Sequence, residues 1–265
     1  MEWRKIRNWM LLMLLAADLV LAGNLAWQLL RGRQAERQAV LDAVAVAAAR
    51  GVELDGEAVL RLPAEMTGYS ARRSDALEQA AANALLGGET LQEGPGGGVS
   101  IYRAGTGQLS FRRGGAVELD VPWQGGAFNA ESCVSLLEKA GFSMKNVLTE
   151  QQDGGVVLIQ SHEGYPVVNS RMTCLCREGV LQARGRWLLA QPATEGSGSL
   201  NRAQLVLALC DLLESQEAPR PERLQAGYYL QSEDAQTVTL VPVWTAETGE
   251  GQIIMSCLTG KQLNF

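Results

Sequence analysis

The sequence predicts an α+β protein in which one N-terminal transmembrane helix precedes an extracytoplasmic domain of repeated helix plus antiparallel β-hairpin units. Two observations lead to this fold class. An apolar run covers residues 9–30, and from Ser74 onward stretches with helical spacing of apolar residues alternate with stretches in which they recur at every second position. Helices followed by antiparallel hairpins are typical of the α+β class.

The apolar run is long enough to cross a bilayer. At about 1.5 Å per residue, residues 9–30 extend roughly 33 Å, against a hydrocarbon core of about 30 Å. Basic residues flank both ends, but the short leading tail and the long acidic remainder favour a cytoplasmic N-terminus and an extracytoplasmic C-terminal domain. A cleavable signal peptide is the alternative, although the run continues past Gly23 without a good cleavage site.

An acidic residue, Asp18, lies in the middle of this run. A carboxyl group at the centre of a spanning helix costs about 2.5–3.5 kcal/mol on insertion scales, which leucine-rich flanks can offset. One interpretation is a tolerated, protonated residue. The other is a partner helix, since Ala22 and Ala26 follow at intervals of four residues and Asn24 is expected near the same side. We therefore predict a transmembrane partner contact at Asp18, Ala22, Asn24 and Ala26.

The run divides the chain into segments. We expect a cytoplasmic tail at 1–8, the transmembrane helix at 9–30, a juxtamembrane helix and connection at 31–72, and the extracytoplasmic domain at 73–265. Within that domain the pattern permits three modules, at 73–128, 129–195 and 199–265. The second and third share a Pro-Val start, a cysteine-bearing strand and a glycine turn. Residues 196–199 read as a flexible hinge between them.

Capping residues mark the predicted helices. Ser74 and Gly87 bound one helix, and Asn129 or Ala130 opens a second that ends at Gly141. Ser199 or Asn201 is expected to cap a third. The apolar stripe expected on the juxtamembrane helix is Val40, Leu41, Val44 and Ala48. The inner faces expected for the second and third helices are Cys133, Leu136, Leu137 and Ala140, and Leu205, Leu209, Leu212 and Leu213. The strand residues expected to face inward are Ile101, Leu109, Phe111, Val117, Leu119 and Val121.

The sequence contains no recognisable catalytic or metal-binding motif. Its one histidine, His162, falls in a predicted turn and is expected on the surface, and Glu247 and Glu250 flank another turn. Cys174 and Cys176 are expected to be packed thiols, because residues two apart on a strand share a face. Packing is also the expected role of the aromatic residues Trp123, Trp187, Trp244, Tyr228 and Tyr229. We predict no enzyme activity, cofactor or metal.

Charge excludes one class of partner. Residues 38–265 carry 17 basic and 26 acidic side chains, a net charge of -9. A nucleic-acid surface needs clustered Lys and Arg to meet phosphates, so no nucleic-acid partner is expected.

Both ends of the chain resemble the YycI family. The start matches the family pattern of a tryptophan, basic residues and one spanning helix with an asparagine in its outer part, through Trp3, Lys5 and Asn24. The end resembles the closing hairpins of the family: a Gly-Tyr strand, a Pro-x-Trp strand and a strand ending in Thr-Gly-Lys. The residues that carry this second match are Gly227, Tyr228, Pro242, Trp244, Thr259 and Gly260.

The resemblance implies a regulator and not an enzyme. Members of this family are single-pass membrane proteins of Gram-positive bacteria that act with a YycH protein on the sensor histidine kinase WalK, also called YycG, which controls cell-wall metabolism. A WalK-like kinase, a YycH-like protein and the membrane are therefore the expected partners, and any small-molecule ligand is unknown. Related modules also resemble PepSY-type domains, so the alternative is an anchored extracytoplasmic PepSY-like binding or protease-inhibiting module that is independent of a kinase.

Overall fold

The computed structural model describes residues 3–105, 107–123, 125–152, 154–189, 192–215, 217 and 220–263. Its helices are α1 (Trp3–Ala49), α2 (Gly56–Arg61), α3 (Asp75–Leu86), α4 (Ala130–Lys139) and α5 (Arg202–Ser215). Its strands are β1 (Glu65–Arg72), β2 (Leu91–Gly96), β3 (Val99–Ala104), β4 (Gly107–Arg112), β5 (Ala116–Pro122), β6 (Leu148–Gln152), β7 (Gly155–His162), β8 (Tyr165–Arg177), β9 (Val180–Arg186), β10 (Ala193–Ser199), β11 (Arg223–Ser232), β12 (Thr237–Thr248), β13 (Gly251–Ser256) and β14 (Gln262–Leu263). The protein is thus α+β, with one long apolar N-terminal helix and a strand-rich remainder.

The chain forms two compact units. The helical unit contains α1, α2 and α5, and the sheet unit contains every strand together with α3 and α4. Four strands follow α3, five follow α4 and four follow α5, and β2–β5, β6–β9 and β11–β14 each pair with their sequence neighbours, whereas β10 pairs with β1. In the third case the helix lies in one unit and its strands lie in the other.

Two sets of ion pairs hold α5 parallel to α1 in the helical unit. Arg202, the first residue of α5, pairs with Glu36 at 2.7 Å. Arg50, directly after α1, pairs with Asp211 at 2.8 Å and with Glu214 at 2.6 Å near the end of α5. The first residue of α5 is thus beside Glu36 of α1, and the last turn of α5 is beside the end of α1. The packed parts of the two helices therefore run in the same direction.

The side chains that α1 buries are small. Val40, Ala43 and Ala47 are buried at spacings of three and four residues, which places them on one face. Leu41 and Val44 are only half-buried and Ala48 is exposed, so the expected stripe was wrong apart from Val40. Alanines on the inner face permit close helix packing, because their side chains end at Cβ.

The sheet unit joins two strand sets along one seam. The larger set has the order β2-β3-β4-β5-β9-β8-β7-β6 and is antiparallel throughout. The smaller set contains β10, β1, β12, β11, β13 and β14. They meet where β8 pairs in parallel with β11, with Val167 opposite Tyr228.

Helices α3 and α4 complete the core of the larger strand set. Their small and medium side chains, such as Ala81 and Leu137, are fully buried among residues of the strands. The buried members of this core are Ala81, Ala82, Leu85, Tyr102, Leu109, Phe111, Val117, Leu119, Val121, Cys133, Leu137, Ala140, Phe142, Met144, Val156, Leu158, Met172, Cys174, Leu181, Ala183 and Trp187. Five of the six strand residues predicted to face inward are among them.

The sixth, Ile101, is a wrong prediction. It is half-buried, whereas its neighbours Ser100 and Tyr102 are buried. Successive residues of a strand point to opposite faces, so Ile101 cannot face the core together with Ser100 and Tyr102. The residues of β3 that face inward are therefore shifted by one position from the prediction. The larger ring of Tyr102 takes the core position, and its hydroxyl accepts a hydrogen bond from Gln92 Nε2 at 3.3 Å.

The predicted caps are confirmed for two helices. The Ser74 hydroxyl accepts from the Leu77 amide, and Gly87 ends α3 in the left-handed conformation. Asn129 caps α4 in a reciprocal capping box with Ser132. The hinge expected at 196–199 was wrong, because these residues belong to β10 and pair with β1. Ladder hydrogen bonds fix a glycine-rich segment that composition alone would leave flexible.

Candidate functional site

The first candidate surface is the membrane-length part of α1. This helix is long and apolar enough to cross a bilayer, and its leucines between Leu11 and Leu30 whose side chains are described are more than half exposed. At the C-terminal end of this apolar segment the Arg31 guanidinium lies 4.9 Å from the centre of the Trp27 ring. Aromatic and basic residues in this position are typical anchors at a membrane–water interface.

The polar stripe predicted on this helix is only partly on one face. Asp18, Ala22 and Asn24 are all exposed. At 100° per residue in a continuous helix, Ala22 lies about 40° from Asp18, but Asn24 lies about 120° away. Asn24 therefore does not extend the face that Asp18 and Ala22 form. The side chain of Ala26 lies outside the described residues, and so do those of Lys5 and its neighbours in the basic tail.

The ion pairs of the helical unit also fix its electrostatics. Glu214 and Asp211 accept hydrogen bonds from the Arg50 guanidinium and raise its pKa above the ordinary value. Arg202 Nε donates to Glu36 at 2.8 Å, and Arg202 Nη1 donates to the carbonyl of Leu60 at the end of α2. All three helices are thereby connected, and the membrane-length segment continues without a break into this unit.

The second candidate surface is a cavity of about 840 Å³ in the sheet unit, which we name the α3–α4 groove. Its walls are the last turn of α3 with the glycines after it, the turn between β3 and β4, the end of β5, and one face of α4. Its volume is in the range of about 300–1,000 Å³ typical of ligand pockets.

The groove has apolar walls and a small number of polar groups. Leu86, Val121, Trp123 and Leu136 supply apolar surface, while Ser135 and Lys139, one turn apart on α4, supply a hydroxyl and an ammonium group. The Trp123 ring packs edge-to-face on Phe128, and its Nε1 donates to the Gly126 carbonyl at 2.8 Å. The arrangement suits an apolar ligand with a polar end.

At the turn between β3 and β4 that lines the groove, a leucine side chain packs against a glycine. A Cβ at Gly107 would lie 2.6 Å from Leu86 Cδ2. The absence of a side chain lets Leu86 pack over this turn. Sequence reasoning missed the groove. The available signal was that glycines follow the ends of α3, β3 and β5, at positions 87–88, 105 and 107, and 125. The fold brings these three positions together in the wall of the groove.

The family-pattern residues of the last hairpins lie at the seam, in the strand next to it and in a turn, and none of them lines the groove. A Cβ at Gly227 would lie 2.7 Å from the Pro166 carbonyl oxygen, so glycine permits the close approach of β11 to β8. Tyr228, Pro242 and Trp244 are buried in the paired strands. The pattern thus marks packing positions in the smaller strand set, with Gly227 and Tyr228 at its seam to the larger set and Pro242 and Trp244 one strand away.

The remaining pattern residues lie at the two ends of the chain. Thr259 and Gly260 form the turn after β13, where the Gly260 amide donates to the Ser256 carbonyl at 2.8 Å. Thr259 accepts a hydrogen bond from the Lys261 amide. Trp3 begins α1 and is exposed.

His162 is half-buried, and so less exposed than the sequence predicted. It ends β7, where its ring contacts Tyr69 at 4.3 Å and Tyr228 at 5.4 Å between ring centres, and its Nε2 is buried. Burial lowers the pKa of His162, and the charge of Glu163 opposes this shift. Burial also raises the pKa of Tyr228, with further contributions from Tyr69 and Glu163. This aromatic cluster belongs to the seam.

Comparison with known proteins gives no family for this chain. No family model matches it, and no curated protein matches it. Among solved structures, an uncharacterized protein from Eubacterium rectale ATCC 33656 has a TM-score of 0.45 at 11% identity, over 76% of this chain and 86% of that one. The YpeB C-terminal domain of Bacillus megaterium has a TM-score of 0.34 at 8% identity, over 74% of this chain and 100% of that one. Scores of this size assign no function.

Proposed function

We propose that this chain is a membrane-anchored regulatory protein that modulates a sensor histidine kinase through contacts in the membrane and outside it. The observation that carries the proposal is the continuity of α1, which passes from an apolar segment of membrane length into a helix that is ion-paired at both ends to α5. A partner that bears on the Asp18 face would act on a helix that is held rigidly in a folded unit.

The mechanism follows from differential contact. A regulator shifts the populations of kinase states only if it binds one state better than the other. Asp18 and Ala22 offer a carboxyl group and a small neighbour on one face, which supports helix contact in a membrane. The kinase as partner, a YycH-like protein as co-regulator and an extracytoplasmic, PepSY-like sheet unit come from the resemblance to the YycI family.

The test is co-purification of the tagged full-length chain with the sensor histidine kinase of the same cell. We expect Asp18→Leu to insert normally and to lower kinase recovery about fivefold, the equivalent of about 1 kcal/mol for an intramembrane polar contact. Asn24→Leu is the matched control, since it makes the same type of change on a different face. Removal of residues 1–30 is expected to abolish recovery. Equal recovery with Asp18→Leu and the unaltered chain would refute the contact.

The α3–α4 groove favours a second candidate, an anchored binding module that is independent of a kinase. Ala84 lines the groove and Ala80 does not, although both are exposed and lie one turn apart on α3. If the groove is the functional surface, Ala84→Trp removes the bound partner, whereas Ala80→Trp and Asp18→Leu do not. If the membrane contact is the functional surface, the effects of Ala84→Trp and Asp18→Leu are reversed.

A further inference from the structure

Two thiols meet inside the core of the sheet unit. Cys133 lies in the first turn of α4 and Cys174 lies in β8, and both side chains are fully buried in the same apolar cluster. Each thiol is the largest single influence on the pKa of the other, as expected for two side chains that lie next to each other in this cluster. The sequence had directed attention to Cys176 as the neighbour of Cys174, because the two share a strand. The fold brings a residue from 41 positions earlier into contact instead.

The other three cysteines have different surroundings. Cys176 is half-buried, and Cys257 is buried in the turn after β13. Cys210 belongs to α5 in the helical unit, with its Sγ 4.0 Å from a Glu214 carboxylate oxygen. In the described part of the chain, Cys133 and Cys174 are the two thiols whose contact is with each other.

We propose that Cys133 and Cys174 are joined by a disulfide bond when the chain folds outside the cytoplasm, so that α4 is covalently linked to β8. This inference rests on the proposed function in one respect, the extracytoplasmic placement of the sheet unit. Disulfides form and persist in oxidising compartments and are rare where thiols are kept reduced.

The oxidant is an external disulfide, either that of a small molecule or that of a thiol oxidoreductase. The Cys133 thiolate attacks one sulfur of this disulfide, whose S–S bond breaks, and the released thiolate takes up the proton that Cys133 has lost. Cys174, after losing its own proton, attacks Cys133 Sγ and releases the second external thiol. Two protein thiols are oxidised and one external disulfide is reduced to two thiols.

Burial sets the order of events. Because both side chains are fully inaccessible in the folded unit, exchange with an external disulfide occurs before α4 has docked on the sheet. Before α4 docks both thiols are accessible, so either of them can start the exchange that is written above for Cys133. Once α4 is docked, a reductant in solution cannot reach the bond.

Thiol counting on the full-length chain tests the proposal. Protein in producing cells is quenched with acid, denatured, and labelled with a maleimide polymer that adds a resolvable mass per thiol. We expect three labels before reduction, at Cys176, Cys210 and Cys257, and five after it. Cys133→Ser and Cys174→Ser should each give four labels with or without reduction. Cys210→Ser is the matched control, with two labels before reduction and four after it.

A second arm separates the bond from the location. The purified chain is denatured, reduced, and refolded in a mixture of reduced and oxidised glutathione before it is labelled. Three labels here but five from cells would uphold the pairing and refute the extracytoplasmic placement. Five labels in both arms would overturn the disulfide itself.

Discussion

The helical unit and the sheet unit differ in what their interiors contain. In the helical unit the described residues of α1 bury only Val40, Ala43 and Ala47, and the ion pairs that join α1 to α5 lie at or near the surface. In the sheet unit large side chains such as Trp187 and Trp244 are fully buried, and polar groups are hydrogen-bonded deep in the interior. The sheet unit should therefore tolerate far less change at single positions.

The largest expected difference concerns two glycines. A Cβ at Gly185 in β9 would collide with the Arg171 carbonyl oxygen and lie 2.7 Å from Met172 Cα, both on backbone that cannot move aside. At Gly56, which begins α2, a Cβ would lie 3.1 Å from the mobile end of the Leu41 side chain. We expect Gly185→Ala to lower the free energy of unfolding by about 4 kcal/mol or to prevent folding, and Gly56→Ala to change it by less than about 0.5 kcal/mol.

Urea unfolding of the detergent-solubilised chain, followed by circular dichroism, measures both glycine substitutions. Circular dichroism without urea shows whether Gly185→Ala folds. Similar unfolding midpoints for the two variants would contradict the proposed contrast between the units.

The second comparison concerns two side-chain amides. Buried Asn169 in β8 accepts from the Leu230 amide at 2.7 Å and donates to the Leu230 carbonyl at 2.9 Å, which bridges the seam to β11. Exposed Gln38 in α1 donates to Asp42 at 2.8 Å. Asn169→Ala leaves two buried backbone groups without that partner, so we expect a loss of about 2–3 kcal/mol, against about 0.3 kcal/mol for Gln38→Ala. Chemical denaturation of both variants measures the two losses of unfolding free energy. Equal losses would show that the hydrogen bonds of Asn169 across the seam do not stabilise the sheet unit more than a surface hydrogen bond does.

The third comparison lies within α1. Ala47 is fully buried and Ala48 is exposed, so the same substitution probes packing and helix propensity separately. Ala47→Leu adds three carbons to a closed interface and should destabilise the helical unit by about 2 kcal/mol. Ala48→Leu should change stability by less than about 0.5 kcal/mol. Hydrogen exchange at α5 amides reports on this unit directly, and faster exchange with both variants would show that α1 is not packed through its alanine face.

Local patterns predicted much of the secondary structure, while the contacts across the fold escaped them. Ser74 and Asn129 marked helix starts because their side chains serve the backbone within three residues. The α3–α4 groove depends on Gly107 and Trp123, which are brought together by strand pairing that no local rule specifies. The prediction that Ile101 faces the core was wrong, because a shift of one residue exchanges the two faces of a strand. The contact of Cys133 with Cys174 could not be predicted, because it depends on how α4 docks.

The smallest expected effect is a dependence on pH that belongs to the sheet unit. Burial against Tyr69 and Tyr228 lowers the pKa of His162 below its ordinary 6.5, and Glu163 partly opposes the shift. The unfolded chain therefore binds a proton at higher pH than the folded chain does. The stabilising contribution of the neutral ring is complete above pH 6.5 and is lost as the pH falls below it, until the folded form also titrates.

His162→Gln should remove this part of the slope of unfolding free energy against pH, measured by chemical denaturation between about pH 7.5 and pH 5.5, where carboxyl groups with ordinary pKa values contribute little. The helical unit contains no histidine, so hydrogen exchange at α5 should show no matching step through pH 6.5. A step of equal size in α5 would mean that the two units unfold together. In that case the difference between their interiors would govern which substitutions destabilise the chain, but not which part of it opens first.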